Sequence, residues 1–244
     1  AAEDVAGETG SEVSFEAEHF SEYAVAFTKK VVKAADAVVS PDMTQDQIND
    51  AVKAAAASEN KVLEVQAGDY SIDSNSHKKI IINNSGMTVR LQAGDYTRAQ
   101  IITRKDAEVV LEGDVTFEGQ AKETHNTAAA VFVENGKTTF NTNGNTITIK
   151  DYNNGLRVGH VGYDSSDAEF NLIGGGTFDV EESVIIVPDS YSGGGYDDDQ
   201  AVTKGQGCGF TGSGVVLVRG ANGQRRLEVH DAELKSNKNQ QHGI

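Results

Sequence analysis

The pentapeptide Gln-Ala-Gly-Asp-Tyr occupies residues 66–70 and again residues 92–96, an offset of 26 residues. A hydroxyl residue, Ser71 or Thr97, follows each copy. Self-similarity with a period of about 20–50 residues is the sequence signature of stacked structural repeats. The unit reads as strand, Gly-Asp turn and strand, which is typical of a β-solenoid. The sequence therefore predicts an all-β fold, a parallel β-helix, with Tyr70 and Tyr96 in equivalent positions on adjacent coils.

Short apolar runs continue this rhythm through the rest of the chain. They lie at residues 80–82, 101–102, 109–111, 131–133, 147–149, 170–173, 184–187, 215–218 and 227–229. Each run has the length of a short strand, and turn-forming residues separate the runs. We expect six of the apolar side chains to point into the interior of the solenoid: Leu63, Val65, Leu91, Leu111, Ile149 and Leu172.

A helix is predicted immediately before the first of these strands. Asp42 with Gln45, and Thr44 with Gln47, both have the spacing of a capping box. The apolar residues that follow fall on one helical face: Ile48, Ala51, Val52 and Ala55. We expect a helix over residues 44–58 that covers the open end of the solenoid, where strand edges and apolar side chains would otherwise be exposed.

Two stretches resemble known families. Residues 45–72 combine a capped helix, a polar turn, a β run and Ala-Gly-Asp-Tyr, and this order resembles the opening of pectin-lyase-like right-handed β-helices. Residues 15–25, with their His-Phe-Ser-Glu-Tyr string, resemble the closing strands of Ig-like repeats in bacterial surface proteins. The resemblances imply a right-handed single-stranded parallel β-helix in an extracellular protein, at the cell surface or secreted.

The predicted organisation has three parts. Residues 1–33 are the tail of a preceding domain or N-terminal strands, residues 34–60 are a connector and the capping helix, and residues 61–244 are the parallel β-helix. Gly155 and Gly243 lie in similar contexts 88 residues apart. This distance equals four coils of about 22 residues. Ile244 is therefore expected to open a further strand, and the native β-helix to be truncated here at its C-terminus.

Composition excludes several classes of partner. The chain has 37 acidic and 21 basic residues, a net charge of −16, so it repels nucleic acid and anionic membrane surfaces. No apolar stretch approaches the roughly 18 residues that a membrane-spanning helix needs. Cys208 is the single cysteine, so an intrachain disulfide is excluded.

The most conspicuous candidate binding segment contains a Gly-Gly-Gly run flanked by Tyr191 and Tyr196 and followed by Asp197, Asp198 and Asp199. Aromatic faces stack on sugar rings, and carboxylates accept hydrogen bonds from sugar hydroxyls or ligate calcium. The segment is a candidate carbohydrate site, with Asp197 and Asp199 as candidate calcium ligands. A solvated excursion between two coils is the open alternative, because the Asp spacing lacks the pattern of an EF-hand loop.

A second cluster, Arg157, His160 and Asp164, could support polysaccharide chemistry. A lyase needs a base and a cation for the uronate carboxylate, and a glycosidase needs two carboxylates. The polygalacturonase branch of the family resembled here carries an Asp pair before Gly-His-Gly, whereas Val161 follows His160 in this chain. A catalytic assignment does not carry over, and a turn role for His160 is favoured.

The first functional hypothesis is a surface-exposed β-helical binding or adhesion module for carbohydrate or host glycan. It needs no cofactor beyond the calcium considered above, and its oligomeric state is open. The alternative is a polysaccharide lyase or glycoside hydrolase that uses Arg157, His160 and Asp164. The third hypothesis is a structural stalk or a phage tail-fibre segment. The balance is against an enzyme, because fold resemblance alone is a weak argument for activity.

Overall fold

The computed structural model describes residues 34–73, 76–119, 129–152, 154–159, 167–181, 184–190, 213–220, 225–237 and 239–242. All of them belong to one compact unit, Lys33–Ile244. The predicted tail of a preceding domain, residues 1–33, lies outside the described residues.

The predicted capping helix is present as α1, Gln45–Ala57. Thr44 and Gln47 form the capping box: the Thr44 hydroxyl accepts from the Gln47 N–H at 3.3 Å, and the Gln47 side chain accepts from the Thr44 N–H at 2.8 Å. The helix ends at Ser58, and its apolar face buries Ile48, Val52 and Ala55. The sequence prediction of a helix over residues 44–58 is confirmed.

The other described elements are strands, listed here in chain order: β1 (Ala37–Val39), β2 (Val62–Val65), β3 (Gly68–Asp69), β4 (Lys79–Ile82), β5 (Met87–Leu91), β6 (Gly94–Thr97), β7 (Gln100–Thr103), β8 (Ala107–Leu111), β9 (Val115–Glu118), β10 (Ala129–Val133), β11 (Gly136–Asn141), β12 (Thr146–Lys150), β13 (Asn154–Val158), β14 (Ala168–Ile173), β15 (Thr177–Glu181), β16 (Val184–Ser190), β17 (Ser213–Gly220), β18 (Arg225–Val229), β19 (Glu233–Asn237) and β20 (Asn239–His242).

The strands form three sheets in which every described pairing of named strands is parallel. Sheet 1 has the order β1-β2-β5-β8-β11-β14-β18, sheet 2 has β3-β6-β9-β12-β15-β19, and sheet 3 has β4-β7-β10-β13-β16-β17-β20. From β2 to β16 the chain visits sheets 1, 2 and 3 in turn, and we call each such passage a circuit. The strand β17 departs from this order because it follows β16 within sheet 3. The expected all-β class, with parallel pairing, is confirmed.

One apolar core contains residues from all three sheets. The six side chains expected to point inward are fully buried in it: Leu63, Val65, Leu91, Leu111, Ile149 and Leu172. They recur at matching positions of adjacent strands, as the pairing of Val65 with Leu91 and of Leu91 with Leu111 shows. Burial of each large aliphatic side chain is worth about 1.5–3 kcal/mol, so the repeat is held mainly by this core.

The Gly-Asp steps of the pentapeptide do not form the turns, contrary to the sequence prediction. Gly68 and Asp69 form β3, Gly94 opens β6, and the turns lie one step earlier, at residues 66–67 and 92–93. Close packing explains why glycine occupies both positions. A Cβ on Gly68 would lie 2.6 Å from Pro41 Cγ, and a Cβ on Gly94 would lie 2.8 Å from Ala67 Cβ. Both glycines also have positive φ angles, +147° and +131°.

Two further details differ from the sequence-based expectation. The connector within residues 34–60 contains the strand β1, which pairs with β2 in sheet 1. The segments at residues 155 and 239–242 are three strands apart in sheet 3, because β16 and β17 separate β13 from β20. The spacing of four equal coils was therefore wrong, since the connection between β16 and β17 returns to the same sheet.

Candidate functional site

The outer faces of sheets 1 and 2 carry regular polar ladders. In sheet 1, Arg90 lies between Glu64 and Glu112 and makes a 2.8 Å ion pair with each carboxylate. In sheet 2, one register position bears Asp95, Thr116, Thr148, Asp179 and Lys235 on successive strands. Charged and hydroxyl side chains thus follow one another on neighbouring strands of these two faces, where they can interact across the strands.

Sheet 3 has a different outer face. Ile81, Ile102, Phe132 and Arg157 occupy one register position on four adjacent strands, and we call them the outer row. Their chain neighbours Ile101, Val131 and Leu156 belong to the central core. Because successive side chains of a strand point to opposite faces, the outer row lies on the face away from that core. Ile81, Ile102 and Phe132 accordingly belong to a second apolar cluster.

Three of the four residues of the outer row are buried although they face away from the core, and the fourth, Ile81, is half-buried. The exposed fractions are 5% for Ile102, 7% for Phe132 and 1% for Arg157. The Arg157 guanidinium carbon lies 4.9 Å from the centroid of the Phe132 ring, within cation–π range, and its Nε donates to the Gly159 carbonyl at 3.2 Å. Arg157 therefore contributes a buried cation to an otherwise apolar row.

The strand of Arg157 contains another buried polar residue. Asn154 is fully buried and lies in register with Ala129. Neither polar atom of its amide has a hydrogen-bond partner within the described part of the chain. The pairing of β13 with β16 shifts register between Asn154 and Leu156. Strand irregularities are over-represented next to active sites, and an unsatisfied buried polar group can indicate a functional role. Both features single out β13 as a candidate part of a functional site.

The long connections of the described fold all adjoin sheet 3. Residues 70–78, 119–128, 159–167 and 191–212 each begin or end at one of its strands. The connections from sheet 1 to sheet 2 are short, and the longest of them is residues 142–145. Binding residues concentrate on loops that a rigid scaffold positions. Sheet 3 is therefore the side on which a ligand site is expected.

Polar contacts link the first of these connections, residues 70–78, to neighbouring parts of the chain. His77 Nε2 lies 3.3 Å from Gln100 Oε1, and an Arg98 guanidinium nitrogen donates to the Asp73 carbonyl. Hydrogen bonds from the side chain and the N–H of Ser71 hold the pKa of Asp69 below its usual value, with smaller contributions from nearby cations. The contacts of His77 and Arg98 thus connect two points of this segment to the chain at residues 98–100.

The residues that the sequence nominated are mostly outside the described ranges. Arg157 is described and is buried in the outer row. The other nominated residues, His160, Asp164, Tyr191, Tyr196, Asp197, Asp198 and Asp199, lie outside the described residues.

The described ranges contain no group of three or more His, Cys, Asp or Glu side chains that could hold a metal ion. The candidate calcium ligands Asp197 and Asp199 fall outside those ranges. Among the described residues, no helix has the length and apolar character that crossing a membrane requires.

Sequence reasoning missed the outer row, although the sequence carried a signal for it. The runs at residues 80–82, 101–102 and 131–133 are apolar at consecutive positions and do not alternate with polar residues. Continuous apolar runs are typical of parallel strands that are buried on both faces. Strict alternation in β12, with Ile147 and Ile149 inward, marks instead a strand with a solvated outer face.

Comparison of the chain with protein-family models, with curated proteins and with solved structures finds no match in any of the three. The resemblances to pectin-lyase-like β-helices and to Ig-like repeats therefore stay expectations from short stretches of sequence.

Proposed function

We propose that residues 61–244 form a right-handed single-stranded parallel β-helix that acts as a binding or adhesion module for carbohydrate at a bacterial cell surface. The alternation of sheets 1, 2 and 3 in successive circuits supports the β-helix. The observation that carries the functional part is that each long connection between the described strands begins or ends at sheet 3, whereas the connections from sheet 1 to sheet 2 are short. The ligand is proposed to bind on the sheet 3 side.

Carbohydrate is favoured by the residue types that the sequence supplies on that side. The connection at residues 191–212 leaves β16 and returns to sheet 3 at β17, and it contains Tyr191, Tyr196 and the three aspartates. Rings of this kind stack on sugar faces, and carboxylates accept hydrogen bonds from sugar hydroxyls. A net charge of −16 disfavours polyanionic glycans, so neutral glycans are the proposed class.

Arg157 gives the enzyme alternative little support. A cation that binds a uronate carboxylate during catalysis must reach the substrate, whereas Arg157 is 1% exposed and packs over Phe132. A lyase or hydrolase is therefore retained only as an outcome of the experiment below, and a structural stalk is the third outcome.

The test is retention of the purified chain on an array of neutral and acidic glycans, combined with assays for reducing ends and unsaturated sugars. We expect retention of some neutral glycans and no product. The variant Thr116→Ala/Thr148→Ala, on the outer face of sheet 2, is a matched control that should keep full retention. Product formation would identify an enzyme, and the absence of both retention and product would favour the stalk.

A further inference from the structure

One buried amide oxygen on the outer face of sheet 1 has no hydrogen-bond partner. Asn171 lies in β14 between Phe170 and Leu172, which belong to the central core, so its side chain leaves the opposite face of the sheet. Asn171 is 7% exposed, and its Oδ1 accepts no hydrogen bond within the described part of the chain. Because buried acceptors in folded proteins are nearly always satisfied, a bound ion or water is expected at this oxygen.

Two side chains that can bind a metal ion lie next to Asn171. Glu228 in β18 is in register with Asn171, so the two side chains leave the same face of adjacent strands. His230 follows directly after β18, and its Nε2 lies 3.1 Å from Glu228 Oε2. An amide oxygen, a carboxylate and an imidazole nitrogen are therefore neighbours on the outer face of sheet 1.

The separation of the imidazole and the carboxylate suits a small divalent metal ion. Ligand atoms that lie about 2.0–2.1 Å from a tetrahedral zinc ion are about 3.3 Å from one another. The 3.1 Å between His230 Nε2 and Glu228 Oε2 is close to this value. Imidazole nitrogen suits zinc and similar transition metals, whereas magnesium and calcium prefer oxygen ligands. A hydrogen bond between His230 and Glu228 has the same length, but it leaves the Asn171 oxygen unexplained.

We propose that the outer face of sheet 1 binds one divalent metal ion of the zinc type, with His230 Nε2, the Glu228 carboxylate and Asn171 Oδ1 as its protein ligands. The ion enters between the imidazole and the carboxylate, whose side chains are 60% and 25% exposed, and takes the buried amide oxygen as its inner ligand. The net charge of −16 attracts cations to the surface. Because the third ligand is an amide, the site differs from the groups of three His, Cys, Asp or Glu side chains that the described residues lack.

The test is a calorimetric zinc titration of the whole purified chain, with excess magnesium present to occupy unspecific carboxylates. We expect one zinc ion per chain and a melting temperature that rises with zinc, because a ligand that binds only the folded state stabilises it. His230→Ala and Glu228→Gln should each weaken zinc binding by about tenfold or more, since each removes a ligand. Glu233→Gln is the matched control and should bind zinc like the wild-type chain, because it removes a carboxylate that pairs with Lys235 on sheet 2.

The variant Asn171→Asp distinguishes a metal ligand from an amide with a purely structural role. It keeps the shape of the side chain and places a charged oxygen next to Glu228. Without zinc, the like charges should lower the melting temperature. Zinc affinity should rise several-fold, and saturating zinc should restore the melting temperature. Thr139→Asp adds the same charge on the other neighbour of Asn171, one strand further from Glu228, and should change zinc affinity much less.

Three results would overturn the proposal: a wild-type chain that binds no zinc, zinc binding that His230→Ala leaves unchanged, or an Asn171→Asp chain whose zinc affinity is not raised. If Asn171→Asp fails to fold, His230→Ala remains decisive, because this side chain is exposed and its loss should leave the fold intact. The metal site on sheet 1 is independent of the glycan site proposed on the sheet 3 side, so either can fail without the other.

Discussion

The rings of Tyr70 and Tyr96 stack, with 6.2 Å between their centroids and 11° between their planes. Phe117 continues the stack at 4.9 Å and 5° from Tyr96. The backbone follows another register, since Gly68 pairs with Tyr96 in sheet 2. The two tyrosines are thus equivalent as core side chains, as the repeat predicted, but two residues apart in strand pairing. Core packing therefore preserves the 26-residue repeat at the tyrosine side chains, although the backbone pairing of β3 with β6 does not follow it.

The hydroxyl groups of this stack should contribute to stability. The Tyr96 hydroxyl lies 2.8 Å from the carbonyls of both Val65 and Gln92, whereas the Tyr70 hydroxyl bonds, among the described residues, to the Gln66 carbonyl alone. We expect Tyr96→Phe to lower the free energy of unfolding by about 1–3 kcal/mol, because buried carbonyls lose a donor. Tyr70→Phe should cost less. Urea unfolding measures both, and the reverse ranking would contradict this account.

Because both tyrosine hydroxyls are buried, the stability of the protein should fall at alkaline pH. Burial raises the pKa of Tyr70 and of Tyr96 above the ordinary tyrosine value. Above the unfolded-state pKa of about 10, the unfolded chain loses protons that the folded chain keeps, so stability decreases with pH by up to about 1.4 kcal/mol per unit for each tyrosine. Below that pKa the contribution is fully present. Urea midpoints measured between pH 9 and 12, from about one unit below to about two units above the tyrosine pKa, should show a shallower decline for Tyr70→Phe/Tyr96→Phe. An unchanged slope would refute the assignment.

Local rules predicted much of the fold. The capping box of Thr44 and Gln47 fixed the start of α1, and the inward set from Leu63 to Leu172 followed from short apolar runs at repeat spacing. The pairing partners were less predictable. The register of β3 against β6 and the return of β17 to sheet 3 depend on turn geometry and on long connections, which leave no periodic trace in the sequence.

The candidate site was predicted less well. Arg157 was singled out for chemistry, but its contact with Phe132 depends on the register between β10 and β13, which sequence spacing alone does not give. The pairing of Asn171 with Glu228 was equally hidden, because the two residues are far apart in the sequence. The candidate carbohydrate and calcium ligands in residues 191–199 were chosen by residue type alone, and their role stays a prediction.

The central core should not tolerate a charge. Leu91 is fully buried and pairs with Val65 on one side and Leu111 on the other. We expect Leu91→Asp to cost several kcal/mol, about 3–5, because it replaces apolar packing with an unpaired charge. Leu91→Met conserves volume and is the control, with an expected cost below about 1.5 kcal/mol. Similar urea midpoints for the two variants would place Leu91 outside a packed core.

The ion-pair ladder of sheet 1 should matter more than an exposed pair. Arg90 pairs with both Glu64 and Glu112 on a partly buried face. Lys53 and Asp50 on α1 form a pair in which each side chain is 75% exposed. We expect Arg90→Met to cost about 1–3 kcal/mol, because two neighbouring carboxylates lose their shared cation. Lys53→Met should cost about 0.5 kcal/mol or less. Equal costs for Arg90→Met and Lys53→Met in thermal unfolding at low salt would show that the ladder contributes no more to stability than an exposed ion pair.

The proposed glycan contact is tested most directly at Tyr191 and Tyr196. Replacing both by Ala should abolish retention on the glycans that the wild-type chain binds, because the stacking faces are removed. The melting temperature should stay nearly unchanged, since both side chains are expected from the sequence to be exposed. Thr116→Ala/Thr148→Ala controls for general loss of surface polarity. Undiminished retention in the tyrosine variant would move the site towards residues 157–164, and turnover of an acidic polysaccharide that disappears with His160→Ala would decide for an enzyme.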